Sequence, residues 1–302
     1  MEASRVTSPT RAIVARTRLR QLVADYVTLT KPRVQLLLLL TTVATMEVAG
    51  HPSVGLILLT LLGGALSAGG AGAVNHWYDR DIDLRMARTA TRPIPAGRIS
   101  PRAALTFGIA LAALSFAELS LTVNVLAATL ALSGFLGYVF VYTLWLKRST
   151  PQNIVIGGAA GAVPPLVGWA AVKGGLDPAA LYLFAIVFYW TPPHFWALSL
   201  LMKDEYAKVD VPMLPVVRGE VETRRQITLY SVLLVAITLL PFAGRLFDGI
   251  YAVAAGLLGT VFVTLAVRLQ RRPDRRAALR LYLFSLLYLA LLFAAMVADV
   301  KL

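Results

Sequence analysis

No cysteine occurs in the 302 residues. Disulfides and thiolate metal centres are therefore excluded. Charge is scarce too: 15% of residues are Asp, Glu, Lys or Arg, against 58% apolar. Soluble domains carry about 25% charged residues, and a mean hydropathy of +0.70 is foreign to them. Acids are scarcer than bases, 16 against 29. Nothing in residues 1–33 looks like a cleaved leader, because they are polar and basic with no short apolar core before the first long run. That run is expected to act as its own insertion signal. The apolar runs do not alternate with period two, so a β-barrel is not expected either.

What is present is a series of apolar stretches of the length that crosses about 30 Å of hydrocarbon as helix. They fall near 34–50, 53–78, 103–120, 122–146, 152–172, 177–202, 226–244, 249–268 and 279–299. The expected fold is all-α, a polytopic membrane helical bundle of about nine transmembrane helices. Connections alternate between very short ones and polar, basic ones. All of the 29 Lys and Arg except Lys173, Arg245 and Lys301 lie on the basic set. This asymmetry places the N-terminus and long loops in the cytoplasm and the C-terminus outside a cell (inner) membrane. It also accounts for most of the net charge of +13, so no nucleic acid partner is expected. Residues 1–24 read as a basic cytoplasmic tail and 25–302 as one transmembrane domain. The two long loops, 79–102 and 203–225, lie four spans apart, which suggests two similar four-helix halves plus one helix. Small residues crowd 63–73 (GGALSAGGAGA) and 157–162 (GGAAGA), the pattern of closely packed membrane helices. The VPPLVG stretch (163–168) should interrupt the fifth span.

The stretch NHWYDRDIDLRMARTATRPIPAG (75–97) closes the second span. If the helix continues, Asn75, Asp79 and Asp83 drift by only about 40° per step and share one face, while Asp81 points elsewhere. Hard oxygen ligands of this kind suit Mg²⁺ held together with substrate phosphates. Arg85, Arg88, Arg92, Arg98 and Arg102 follow, with Pro93 and Pro95 expected to end the helix. Arginine binds phosphate bidentately. Carboxylates beside guanidiniums fit a diphosphate site; salt bridging within a surface loop is the plainer alternative. The second loop, KDEYAKVDVPMLPVVRG (203–219), repeats the mixture with Asp204, Glu205, Asp210, Lys203, Lys208 and Arg218. Lys147, Arg148, Lys31 and Arg33 join on the same side. A transporter with two similar halves is a rival class, but it calls for charges near the bilayer midplane, and here they gather at one lip.

The sequence resembles the UbiA superfamily of intramembrane prenyltransferases. The motif N-x-x-x-D-x-x-x-D is matched by Asn75, Asp79 and Asp83. The stretches TKPRV (30–34), 75–101, LKRSTPQNIVIGGAAGAVPPLVGW (146–169), WTPPHFWALSL (190–200) and 203–219 are similar to its haem-farnesylating members. The resemblance implies farnesyl diphosphate and haem B as substrates, haem O as product, and diphosphate-bound Mg²⁺. It implies catalytic and metal roles for Asn75, Asp79, Asp83 and Asp204, and diphosphate binding by Lys31, Arg88, Arg92, Lys147, Arg148 and Lys208. Residues 25–302 would be the prenyltransferase domain, in a lipid bilayer, with haem A synthase or a terminal oxidase assembly as candidate partners. A prenyltransferase for an aromatic, quinone-precursor acceptor is the rival within the superfamily. The sequence departs from the usual second D-x-x-x-D motif, because Lys208 follows Asp204 at that spacing. Glu205 or Asp210 could complete a metal site there, or Lys208 could bind phosphate directly.

Tyr138 and Tyr142, and Phe188, Tyr189 and Trp190, are candidates to stabilise an allylic cation through their ring faces; ordinary packing is the alternative. An ionisable residue inside a span is a functional candidate. His194, in TPPHFW, is therefore either an axial haem ligand or a polar contact between helices. His76 points about 100° from Asn75 and is the weaker candidate. Glu47, near the outer end of the first span, has no assigned role.

Overall fold

The computed structural model describes residues 9–302. The expected 1–24 tail thus lies partly outside the described residues, and from Pro9 the chain is already helical. Helix α1 (Pro9–Leu29) is followed by α2 (Pro32–Ala49), α3 (Val54–Tyr78), α4 (Arg80–Arg85), α5 (Pro101–Thr122) and α6 (Val125–Leu136). Then come α7 (Asn153–Gly161), α8 (Val163–Lys173), α9 (Pro178–Leu201), α10 (Lys203–Ala207), α11 (Leu214–Val217), α12 (Gly219–Ala243), α13 (Gly249–Arg271) and α14 (Arg275–Lys301). No strand occurs among the described residues.

Local signals fix the helix starts. Ser53, Ser100, Asn124, Asp177 and Asp274 each accept a backbone N–H of the first turn at α3, α5, α6, α9 and α14. Eight segments are long and apolar enough to cross a membrane. The 24-residue α9 is also of spanning length; Pro192, Pro193 and His194 lower its hydropathy. The expected break in the fifth span falls at Ala162, between α7 and α8, one residue before the Val163–Pro164 step. By contrast α9 stays continuous through Pro192 and Pro193, packed between α12 and α14.

The spanning helices form a closed ring. Helices α3, α5, α6 and α8 pack in succession, α8 meets both α2 and α9, and α9 leads through α12 and α13 to α14, which returns to α2. Close approach requires glycine at one point above all: a Cβ on Gly70 would sit 2.6 Å from the Gly108 carbonyl oxygen of α5. The small residues of α3 are thus explained by packing. Leucines such as Leu36, Leu58 and Leu257 face outward, where only lipid offers an apolar environment. The two long connections are alike in plan, each starting with a short helix directly after its span, α4 after α3 and α10 after α9. They lie on one face. On the opposite face Glu47 pairs with Lys301 at 2.9 Å, and Lys301 also reaches the Gly50 carbonyl, so the first and last spanning helices are pinned together there.

Candidate active site

The acid ladder forms as its spacing predicts. Although α3 ends at Tyr78, the backbone keeps helical register, with Asp79 N–H donating to the Asn75 carbonyl (2.9 Å) and Asp83 N–H to that of Asp79 (2.8 Å). Asn75, Asp79 and Asp83 are all buried, whereas Asp81 is exposed. The helix ends at Arg85, well before the expected prolines. The Ala87 N–H, beyond the last helical residue, donates to the Glu205 carboxylate at 3.1 Å, and the Arg85 guanidinium donates to the Lys208 carbonyl at 2.5 Å, tying the two loops together. The two long loops therefore face one another, as their composition suggested.

Cations close on the ladder from three elements. Lys31 donates to the Asn75 amide oxygen at 2.5 Å. Its backbone is left-handed, with φ 55° and ψ 54°, a conformation lysine seldom adopts. The elbow between α1 and α2 turns there, and the unfavourable geometry is a mark of a functional position. Lys147 pairs with Asp79. Arg92 pairs with Asp83 at 2.6 Å. Burial, then the charges of Arg92 and Lys147, hold the Lys31 ammonium down to about 7 despite Asp79 and Asp83. Positive charge is thus in excess around the two carboxylates, the field an anionic ligand needs.

Other expected residues lie further out. Arg148 bonds Asp81 through two contacts of 2.7 Å, lies over the Tyr78 ring and approaches Asp79 at 3.5 Å. The Asp81 carboxyl is lowered to about 2, chiefly by this guanidinium. Arg88 is exposed at the rim. The Lys208 ammonium is exposed and held by Glu205 at 2.9 Å, which raises the lysine and lowers the acid. Asp204 is exposed in the first turn of α10, and the structure does not bring it to the ladder. Arg98 is committed elsewhere, to the buried Asp25 of α1 at 3.0 Å.

Two site residues escaped the sequence. After α6 the fourth span continues as a wider π-type winding over Gly137–Trp145. Such windings re-aim side chains and occur often at functional sites. Thr143 in it is fully buried and accepts a bond from the Asn75 amide at 3.3 Å. No sequence signal distinguishes this threonine from others in apolar spans. The second is Tyr206 of α10, which burial pushes above the ordinary phenol range, against Arg88 and Arg92. Tyr142 stands near it, and Tyr138 and Tyr142 are both within electrostatic reach of Asp79. Their rings lie 5.3 Å apart.

His194 is separate from the ladder. It is buried between α9 and α14, with Nδ1 2.6 Å from the Ser285 hydroxyl. Trp190 and Tyr282 stack on it at 4.3 and 4.9 Å. Trp190 donates to the Ser285 carbonyl, and Tyr189 packs on Tyr230 of α12. These two aromatics serve helix contacts, as the plainer reading held.

The ladder suits a hard divalent cation. Among the described residues no three His, Cys, Asp or Glu side chains form a metal cluster by themselves. Yet Asp79 Oδ1 is buried without a hydrogen-bond partner, approached by the Arg148 guanidinium at 3.5 Å, and has lone pairs open to a further ligand. One or two carboxylates plus phosphate oxygens are the usual protein share of a Mg²⁺ site.

Fold and site together define an intramembrane helical prenyltransferase, and the chain belongs to the UbiA prenyltransferase family, which it matches over residues 36–292. It is 55% identical to the protoheme IX farnesyltransferase of Chloroflexus aurantiacus, over 93% of this chain and 48% of that protein. It is 55% identical to the protoheme IX farnesyltransferase of Symbiobacterium thermophilum, over 95% of this chain and 98% of that protein. The chain thus spans about half the length of some curated relatives and nearly all of another. Among solved structures, a digeranylgeranylglyceryl phosphate synthase matches with a TM-score of 0.77 and 18% identity, covering 93% of this chain and 99% of that one. A UbiA homolog from Archaeoglobus fulgidus bound to DMAPP and Mg²⁺ matches with a TM-score of 0.68 and 18% identity, over 90% and 99% of the two chains. These likenesses establish the fold.

Proposed function

We propose that the protein transfers the farnesyl group of farnesyl diphosphate to a vinyl group of haem B, giving haem O and diphosphate. The observation that carries this reading is the buried Asn75–Asp79–Asp83 ladder ringed by Lys31, Arg92 and Lys147. The names of its half-identical relatives supply the acceptor, and the Mg²⁺ and allylic diphosphate of the Archaeoglobus fulgidus neighbour support the donor.

Asn75, Asp79 and Asp83 would hold Mg²⁺, whereas Asp204, exposed on α10, lies outside that ladder. Bound there, Mg²⁺ supplies Lewis-acid neutralisation of the leaving diphosphate. Lys31, Arg92 and Lys147 bind the phosphate oxygens and stabilise charge as it grows on the bridging oxygen. Arg88, Arg148 and Lys208 extend this cationic rim. The C1–O bond breaks, and the allylic cation is taken up by the electron-rich vinyl carbon, forming a C–C bond. Water adds to the resulting cation on the haem side and releases a proton, leaving the hydroxyethylfarnesyl group. Tyr138 and Tyr142 shield the first cation from early capture by water and stabilise it with their ring faces.

His194 is assigned to haem. Both faces of its ring are covered by Trp190 and Tyr282 and Nδ1 is engaged with Ser285, so Nε2 is the nitrogen left to meet iron. We assign residues 25–302 to the catalytic domain and 1–24 to a tail. The basic face belongs to the cytoplasm of a cell membrane by the positive-inside rule. Expression in a strain lacking haem O, followed by chromatography of extracted haems, tests the activity. Appearance of haem O is expected. A prenylated aromatic compound without haem O would replace this reading by the aromatic-acceptor one.

A further inference from the structure

His76 takes no part in the mechanism above, yet its surroundings are unusual. It is buried to 2% exposure on α3, and its Nδ1 has no hydrogen-bond partner. A buried, unpaired polar atom is unfavourable and calls for an explanation.

Three observations locate it. Gly69, Gly72 and His76 recur at helical spacing and share a face of α3. A Cβ on Gly69 would meet Thr30 at 3.1 Å, and one on Gly72 would meet the Leu29 carbonyl at 3.0 Å, so this face abuts the elbow that carries Lys31. The charged groups within reach of the imidazole are Lys31, Arg92 and Lys147, the same three that ring the acid ladder. Finally, the ladder itself rotates. Asp83 lies about 80° round the helix from Asn75, and His76 lies about 100° round, so the last rung returns to the histidine's side.

With its proton on Nδ1, the neutral imidazole finds no acceptor in the protein. None of the three cations donates to it either. What these three cations share is a preference for phosphate oxygens, and such an oxygen would accept the imidazole N–H as well. We propose that His76 is a further substrate-binding residue, donating a hydrogen bond from its imidazole to a diphosphate oxygen of the allylic substrate. This rests on the diphosphate site proposed above. A neutral donor adds direction without adding charge. It holds the diphosphate on the elbow side of the ladder, whereas Lys147 and Thr143 approach from the fourth span.

The test compares wild-type protein with His76→Leu and His76→Gln in detergent, titrated with inorganic pyrophosphate plus Mg²⁺ and with farnesyl diphosphate. Haem binding and thermal stability are followed alongside. His76→Leu is expected to weaken both diphosphate ligands about tenfold or more, the usual loss for a hydrogen bond to a charged group. It should raise KM for farnesyl diphosphate more than it lowers kcat and leave haem affinity unchanged. His76→Gln, which keeps an N–H donor, should recover part of the loss. Unchanged diphosphate affinity in His76→Leu, or equal loss in both variants with lowered stability, overturns the inference and leaves His76 a packing residue. If the wild-type protein bound neither diphosphate ligand, the diphosphate site would fall, and this inference with it.

Discussion

At the scale of single residues, the difference between Asp81 and its neighbours is the sharpest result. Asp79 and Asp83 are buried and paired with cations, while Asp81 is exposed and paired only with Arg148. Asp79→Ala or Asp83→Ala should abolish turnover without preventing insertion, since each removes a hard ligand at the lip of the bundle. Asp81→Ala removes an exposed ion pair worth about 1 kcal/mol or less, and should retain most activity. Haem O formation by the three variants checks this; equal loss in all three would break the one-face geometry. Arg92→Gln loses a guanidinium facing Asp83 and should weaken farnesyl diphosphate binding by about tenfold or more while sparing haem. Arg88→Gln, at the exposed rim, should do less. A fall in haem affinity instead would reassign these arginines to the haem propionates. His194→Ala should remove or shift the spectrum of titrated haem and stop haem O formation, with diphosphate binding intact, because the ladder stands on another span. Were His194 only a helix contact, the cost would be about 1 kcal/mol of stability with an unchanged spectrum.

At the scale of elements, the π-type winding over Gly137–Trp145 decides which side chains of the fourth span meet the ladder, Thr143 among them. Tyr142 fits there because α7 presents glycine: a Cβ on Gly157 would sit 2.5 Å from the Tyr142 ring. Gly157→Val should therefore displace that ring while leaving the diphosphate ligands in place. The expected outcome is a several-fold drop in haem O formation, with more farnesol released as water captures the exposed cation. Chromatography of both products measures the partition. An unchanged ratio would remove Tyr142 from the shielding role.

At the scale of the whole molecule, charge asymmetry and ring closure reinforce one another. The basic loops crowd one face, and the Glu47–Lys301 pair joins the first and last spanning helices at the other. A phosphatase reporter that works only outside the cytoplasm should be active when fused after Leu302 and inactive when inserted near Arg88, as the positive-inside rule requires. Reversal of the two signals would place the diphosphate site on the outer side of the membrane.

Apolar runs located the spanning helices in the sequence, and the one-sided distribution of Lys and Arg put the two long loops on one face, because these are local or compositional quantities. The ladder was legible for the same reason, since helical rotation alone aligns Asn75, Asp79 and Asp83. The chain order could not reveal that Lys31 would turn through a left-handed backbone to reach Asn75, nor that a wider winding would bring Thr143 to the same amide. It could not show that Glu205 would take the Ala87 N–H just past α4, or that His76 would be enclosed by cations and left unpaired. Each of these depends on contacts between segments far apart in the chain. Sequence periodicity fixes which way a side chain leaves its own helix, but only packing decides what stands opposite.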